Sequence, residues 1–423
     1  MRWSLITLVG ILIVLRAASW ARSQDGEKRP PAPAAQAAPT PAVKPKPIAE
    51  STRRGLEWLV KQQLGQGAWG QGEEAAGMGG GKPLRDTPNV ADTCMAALAL
   101  LRSGSTPAQG PHARPLAAAV GFVCGKIEAS DADSISVTDV QGTRTQAKLG
   151  TTIDTFLANL LLAEARGKMP DEAANRRLQA AHDKVLRKIG KNQKQDGSWD
   201  GSGWAPILCQ SMASKGLNRA AQTGVTVAPE VLARVEKNAQ QNFDGMSFAA
   251  AGSAGVALYA TAGNFSALRE AEVTNRKSEA QLRGRLVAAK DEKERSGIQQ
   301  SLDRIEESKK LQAQAEQTVL RQIDDPQFVA GFGSNGGEEF LSYMNISESL
   351  LVKGGREWQE WDASMAANLG RIQNQDGSWT GHHCITGRTF CTSAALLVLL
   401  ADRTPIPPQP ATTTAPAPAP EGK

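Results

Sequence analysis

The chain has 423 residues, enough for two or three ordinary domains or for one large repeat domain with tails. Hydrophobic residues make up 40% and charged residues 22%, which suits a globular core. The net charge of +5 is small for this length and is not gathered into basic stretches, so an electrostatic footprint for nucleic acid is excluded.

Arg2 supplies a positive start, and residues 5–15 (LITLVGILIVL) form an apolar run of signal-peptide length that Arg16 interrupts. The run is too short for a comfortable transmembrane helix, and Ser19-Trp20-Ala21 offers small residues where a signal peptidase reads. Residues 1–21 are therefore expected to be a signal peptide, the alternative being an uncleaved N-terminal anchor. Either one exports the body of the protein to the periplasm, the cell surface or the medium. Residues 22–48 are Pro/Ala-rich and are expected to be a disordered linker, and residues 404–423 a Pro-rich disordered tail. Five cysteines in an exported chain leave at least one unpaired unless it binds something, and their wide spacing is not that of a small disulfide scaffold.

Three segments then share the pattern Gln-x-x-x-Gly-x-Trp: Gln63, Gly67 and Trp69; Gln193, Gly197 and Trp199; Gln373, Gly377 and Trp379. Each closes a helix-like stretch, over residues 53–63, 171–193 and 358–373. The glycine suits a left-handed helix cap, and the tryptophan can fold back on the apolar face. A fourth, decayed copy ends at residues 242–246. After each copy comes a second, more apolar helix. Good versions begin Asp92-Thr93-Cys94, Asp154-Thr155-Phe156 and Cys391-Thr392-Ser393; weaker ones cover 206–217, 248–260 and 340–352. Helices apolar all round must be buried, whereas the amphipathic ones before them can face solvent. The pattern predicts an all-α fold, an (α/α)6 toroid of six helix pairs spanning residues 49–403.

Residues 265–325 break the rhythm with dense, balanced charge. Leu282, Leu286 and Ala289 mirror Ile298, Leu302 and Ile305 in spacing, which predicts an inserted antiparallel coiled-coil hairpin turning near Ser296-Gly297. It reads as an elongated fifth outer helix with an arm projecting from the ring, serving as a spacer or as a docking arm.

The first copy, Arg54-Gly55-Leu56-Glu57-Trp58-Leu59-Val60-Lys61-Gln62-Gln63 closing at Gly67-Ala68-Trp69, resembles the QW repeat of the prenyltransferase and squalene-cyclase superfamily. The resemblance covers most of residues 51–403 apart from the arm, and it implies an α/α barrel whose central cavity holds isoprenoid chains. Squalene-hopene type cyclases carry an Asp-x-Asp-Asp acid motif that this chain lacks. Its adjacent aspartates, Asp324-Asp325, precede Pro326 and read as a helix terminator. Aromatic residues, at 5%, are too few to line a carbocation cavity. Prenyltransferase β-subunits hold zinc with Asp-x-Cys and a His, and Asp92-Thr93-Cys94 with His382-His383-Cys384 and Cys391 is similar in type, though in a different order.

The candidate metal set is therefore Asp92, Cys94, His382, His383, Cys384 and Cys391, with Asp92, Asp154 and Cys209 at the cavity rim. Packing, a disulfide between Cys384 and Cys391, or helix capping by the aspartates explains the same residues. The glycine-rich loop at 77–82 fails the P-loop spacing. Two functions follow as expectations. One is an exported binding module for a hydrophobic, isoprenoid-like ligand or a protein partner, without squalene cyclase activity. The other is a zinc enzyme related to prenyl transfer, its metal at the rim of repeats one and six.

Overall fold

A computed structural model describes residues 40–41, 43–75, 84–201, 203–243 and 253–407. The signal segment, most of the linker, the loop at 77–82, the end of the fourth repeat copy and the tail beyond 407 lie outside the described residues. Among the described residues the fold is all-helical, apart from a two-residue antiparallel pairing of β1 (Thr40–Pro41) with β2 (Pro405–Ile406). None of these helices is long and apolar enough to cross a membrane.

Amphipathic and apolar helices alternate along the chain. The amphipathic ones are α1 (Glu50–Lys61), α3 (Ala113–Ala129), α6 (Glu172–Lys191), α8 (Pro229–Phe243), α10 (Glu292–Gln322) and α13 (Gly355–Ile372). The apolar partners are α2 (Val90–Arg102), α5 (Ile153–Ala165), α7 (Pro206–Gln222), α9 (Ala257–Ala288), α12 (Gly337–Leu351) and α14 (Arg388–Leu399). Short helices α4 (Arg144–Leu149) and α11 (Pro326–Val329) sit in the connections. Start signals are local: Asn89, Asp171 and Asp291 accept backbone N–H groups in the first turns of α2, α6 and α10, and Pro206 opens α7. Every residue of α2, α5 and α12 is buried. α6 instead buries a stripe of Leu178, Ala181, His182, Val185 and Ile189 and turns its other face to water.

The apolar helices pack in a circuit: α2 on α5, α5 on α7, α7 on α9, α9 on α12, α12 on α14, and α14 back on α2. The three repeat motifs clasp the outer helices to one another in the same way each time. The Trp69, Trp199 and Trp379 indoles donate to the carbonyls of Leu59, Ile189 and Leu369, at 2.8, 2.8 and 2.9 Å. The Gln63 amide donates to Gly67 and to Pro115 of α3; Gln193 donates to Gly197 and to Val231 of α8; Gln373 donates to Gly377 and to Ser51 of α1. The last clasp joins the final outer helix to the first. Gly67, Gly197 and Gly377 have φ of 81°, 83° and 94° and lie against Ala118, Arg234 and Arg54 of the next outer helix, so conformation and space both call for glycine there.

The inserted hairpin differs from the sequence expectation in three respects. Its first strand continues inner helix four rather than an outer helix: α9 is 32 residues long, buried from Leu258 to Val273 and then largely exposed. The turn falls at Ala289–Asp291, where Ala289 ends α9 and Asp291 caps α10, and not at Ser296-Gly297. Gly297 lies inside α10 with open space around it, a position where glycine costs a helix only about 1 kcal/mol. Leu282 and Leu286 do pack with Ala289, Ile298 and Leu302 as a separate apolar seam. Finally, the root of the arm is tied to α8: Glu236 accepts from Asn275 of α9 at 2.9 Å and from Ser308 of α10.

Candidate functional site

The inner helices place acidic side chains in their first turns: Asp92 on α2, Asp154 on α5, and Glu338 and Glu339 on α12. All four are buried. Asp154 Oδ1 accepts from the backbone N–H of Ala91 in the neighbouring helix at 3.0 Å, and Oδ2 accepts from Gln146 at 2.9 Å. Asp92 Oδ2 accepts from Asn89 at 2.7 Å, while its Oδ1 has no hydrogen-bond partner. Burial pushes Asp92 up to about 7 and Asp154 up to about 6, against the hydrogen bonds that hold them down. Glu338 Oε2 accepts from the Ile385 N–H at 3.1 Å, and burial, reinforced by the Glu339 charge, raises it to about 8. Glu339 is likewise raised by burial.

Around Glu339 the loops before α12 and α14 close in. Its Oε1 accepts from the Phe332 N–H at 3.0 Å and from the Tyr259 hydroxyl, and its Oε2 lies 3.5 Å from His383 Nε2. Trp204 meets Phe332 edge-on at 5.1 Å and Tyr259 at 6.1 Å, and Phe332 meets His383 at 5.2 Å. Lys148 Nζ stands 5.1 Å over the Trp204 ring. Cys384, at φ 57°, occupies a left-handed conformation unusual for a side chain of its kind.

The structure distributes the sequence-predicted metal set instead of gathering it. Among the described residues no group of three or more His, Cys, Asp or Glu is placed to hold a metal ion. All five cysteines are free and buried, so Cys384 and Cys391 form no disulfide. Burial raises the Cys94 thiol, reinforced by the Asp154 charge, and it raises the Cys391 thiol too, reinforced by the Glu338 charge. His382 is exposed, and His383 Nε2 meets the Ser334 carbonyl at 2.6 Å and flanks Glu339. Cys209 Sγ lies 3.5 Å from Thr152 Oγ1. Sequence reasoning missed Glu338 and Glu339, although they hold the repeat position of Asp92 and Asp154; that alignment was the available signal.

It also missed an ionic network toward the other ends of the inner helices. Arg102 pairs with Glu164 at 2.6 Å and Glu348 at 3.3 Å; Lys215 with Glu348 at 2.6 Å; Arg219 with Glu164 and Glu270, both at 3.0 Å. Three cations and three carboxylates from α2, α5, α7, α9 and α12 thus neutralise one another in the interior. The Lys215–Glu348 pair joins α7 to α12, which also touch directly although α9 lies between them in the circuit. Elsewhere, a cleft of about 730 Å³ lies between α8 and the arm, lined by both charge signs, including Glu230, Lys237, Arg304 and Glu307.

No family model matches the chain, and a search of curated proteins finds no relative.

Proposed function

We propose that residues 49–403 form an (α/α)6 toroid of the prenyltransferase and squalene-cyclase kind, and that the exported chain works as a binding module without squalene cyclase activity. The ring is supported by the circuit of inner-helix contacts and by the clasp from Gln373 to Ser51. Export rests on the apolar run at residues 5–15 and the small residues before Ala21.

The observation that carries the functional reading is the buried ionic network. An isoprenoid chain in the middle of the ring would separate Arg102, Lys215 and Arg219 from Glu164, Glu270 and Glu348 and leave charges desolvated without partners. The interior then acts as a structural plug, and recognition falls to the rim where the inner helices begin, with its acids and aromatic rings.

Native mass spectrometry of the full chain, purified without chelator and titrated with geranylgeranyl diphosphate and with squalene, tests this. The expected spectrum is the bare mass at every concentration, starting at a new N-terminus near residue 22. A stoichiometric isoprenoid adduct would overturn the reading, and a tightly held zinc ion would favour the enzyme.

A further inference from the structure

The rim between α7, α9, α12 and α14 assembles two kinds of group that share one class of ligand. Trp204, Tyr259, Phe332 and His383 bring four rings together from four different segments, and Phe332 is 55% exposed. Beneath them lie two adjacent carboxyls, each with an oxygen that finds no hydrogen bond although its residue is fully buried: Glu338 Oε1 and Glu339 Oε2. Buried polar atoms are nearly always paired, so two neighbouring orphans at one rim mark an unfilled requirement for positive charge or donors.

We propose that this rim site binds an organic ammonium ion, its charge set against Glu339 and its alkyl surface against the Trp204, Phe332 and His383 rings. The inference rests on the binding-module reading and names its ligand class. A hard metal ion needs several oxygen, nitrogen or sulfur donors converging on one point, and the described residues offer no such group. Aromatic faces supply no lone pair but attract a weakly hydrated cation through the ring quadrupole. The chain already shows the compatibility: the Lys148 ammonium rests 5.1 Å over Trp204, and its charge draws Glu338 toward ionisation. Lys148 thus holds one side of the ring set, while Glu339 Oε2, which makes no hydrogen bond, lies 3.5 Å from His383 Nε2.

The test is isothermal titration of the full chain with tetramethylammonium chloride, with sodium chloride matching ionic strength and tert-butanol as the uncharged counterpart in size. Saturable heat is expected with tetramethylammonium alone, weakened about tenfold or more in Glu339→Gln and in Trp204→Leu. Both variants are first checked for an unchanged unfolding midpoint, with Phe332→Ala, at an exposed position, as the substitute if either unfolds. No saturable heat, equal binding of tert-butanol, or undiminished binding in the folded variants would each overturn the proposal. The failure of this site is separable from failure of the ring, because ring closure has its own readout in the cross-link between Lys46 and Asp362 described below.

Discussion

Replacing Glu348 by glutamine removes the one carboxylate shared by Lys215 and Arg102 while keeping its shape. Burial works against ionisation of Glu348, but the Lys215 and Arg102 charges outweigh it and hold the carboxyl near 2, against an ordinary value of 4.5. That depression corresponds to about 3 kcal/mol of stability at neutral pH. Losing one partner of a buried pair costs about 3–5 kcal/mol, because Lys215, fully buried, is left with only its longer 3.7 Å contact to Glu270. Both routes give a loss of about 3–5 kcal/mol for Glu348→Gln at pH 7. The acid's folded-state pKa is lowered, so its contribution is complete above about pH 4.5 and is lost as pH falls toward 2. The wild type and Glu348→Gln should therefore converge below pH 3. The assay is urea unfolding followed by tryptophan fluorescence, with the double variant Glu348→Leu, Lys215→Met as a companion. Removing both charges should recover most of the loss, since the remaining two cations and two carboxylates still balance. A loss under about 1 kcal/mol, or a double variant no better than the single, would refute the plug.

Gly377→Ala should lose about 2 kcal/mol or more, because φ is 94° and the new methyl would lie 2.7 Å from the Arg54 carbonyl oxygen. Gly65→Ala, with nothing within 4 Å, should stay within about 0.5 kcal/mol in the same unfolding assay. Asp92 has a raised folded-state pKa, so its contribution is full below its ordinary 3.8 and fades as pH rises through about 7. Asp92→Asn should consequently raise the Tm at pH 8, by up to about 4 kcal/mol in stability, and change little near pH 4. Leu302→Ala should weaken the arm by about 2 kcal/mol and speed hydrogen exchange over residues 282–302 without touching the amides of the buried apolar helices.

The repeat motifs were legible because one short pattern fixes a helix end, a left-handed glycine and a folded-back indole together, and all three copies make the same bonds. The heptad-like spacing likewise gave the arm's apolar seam. Its root and turn were not legible. Nothing between Asn264 and Arg283 stops a helix, so α9 runs straight from the buried helices into the arm, and an aspartate cap outweighs an exposed glycine in choosing the turn. The ionic network shows the limit of pattern reading. Arg102, Glu164 and Glu348 each stand as a charge near the far end of a buried helix, visible one at a time, but their pairing depends on which helices meet across the interior. The metal set failed to gather for the same reason: shared repeat position puts residues on one rim without pointing them at one centre.

Closure of the ring is tested most directly by a zero-length carbodiimide cross-link on the full chain. Lys46 and Asp362 form an ion pair that joins the segment before α1 to α13, far apart in sequence, and Lys126 pairs with Asp139 nearby at 2.7 Å. A closed ring predicts a peptide covalently joining Lys46 to Asp362 in the monomer fraction, alongside the Lys126–Asp139 product. Recovery of Lys126–Asp139 without Lys46–Asp362 would contradict it and leave an open stack of helix pairs.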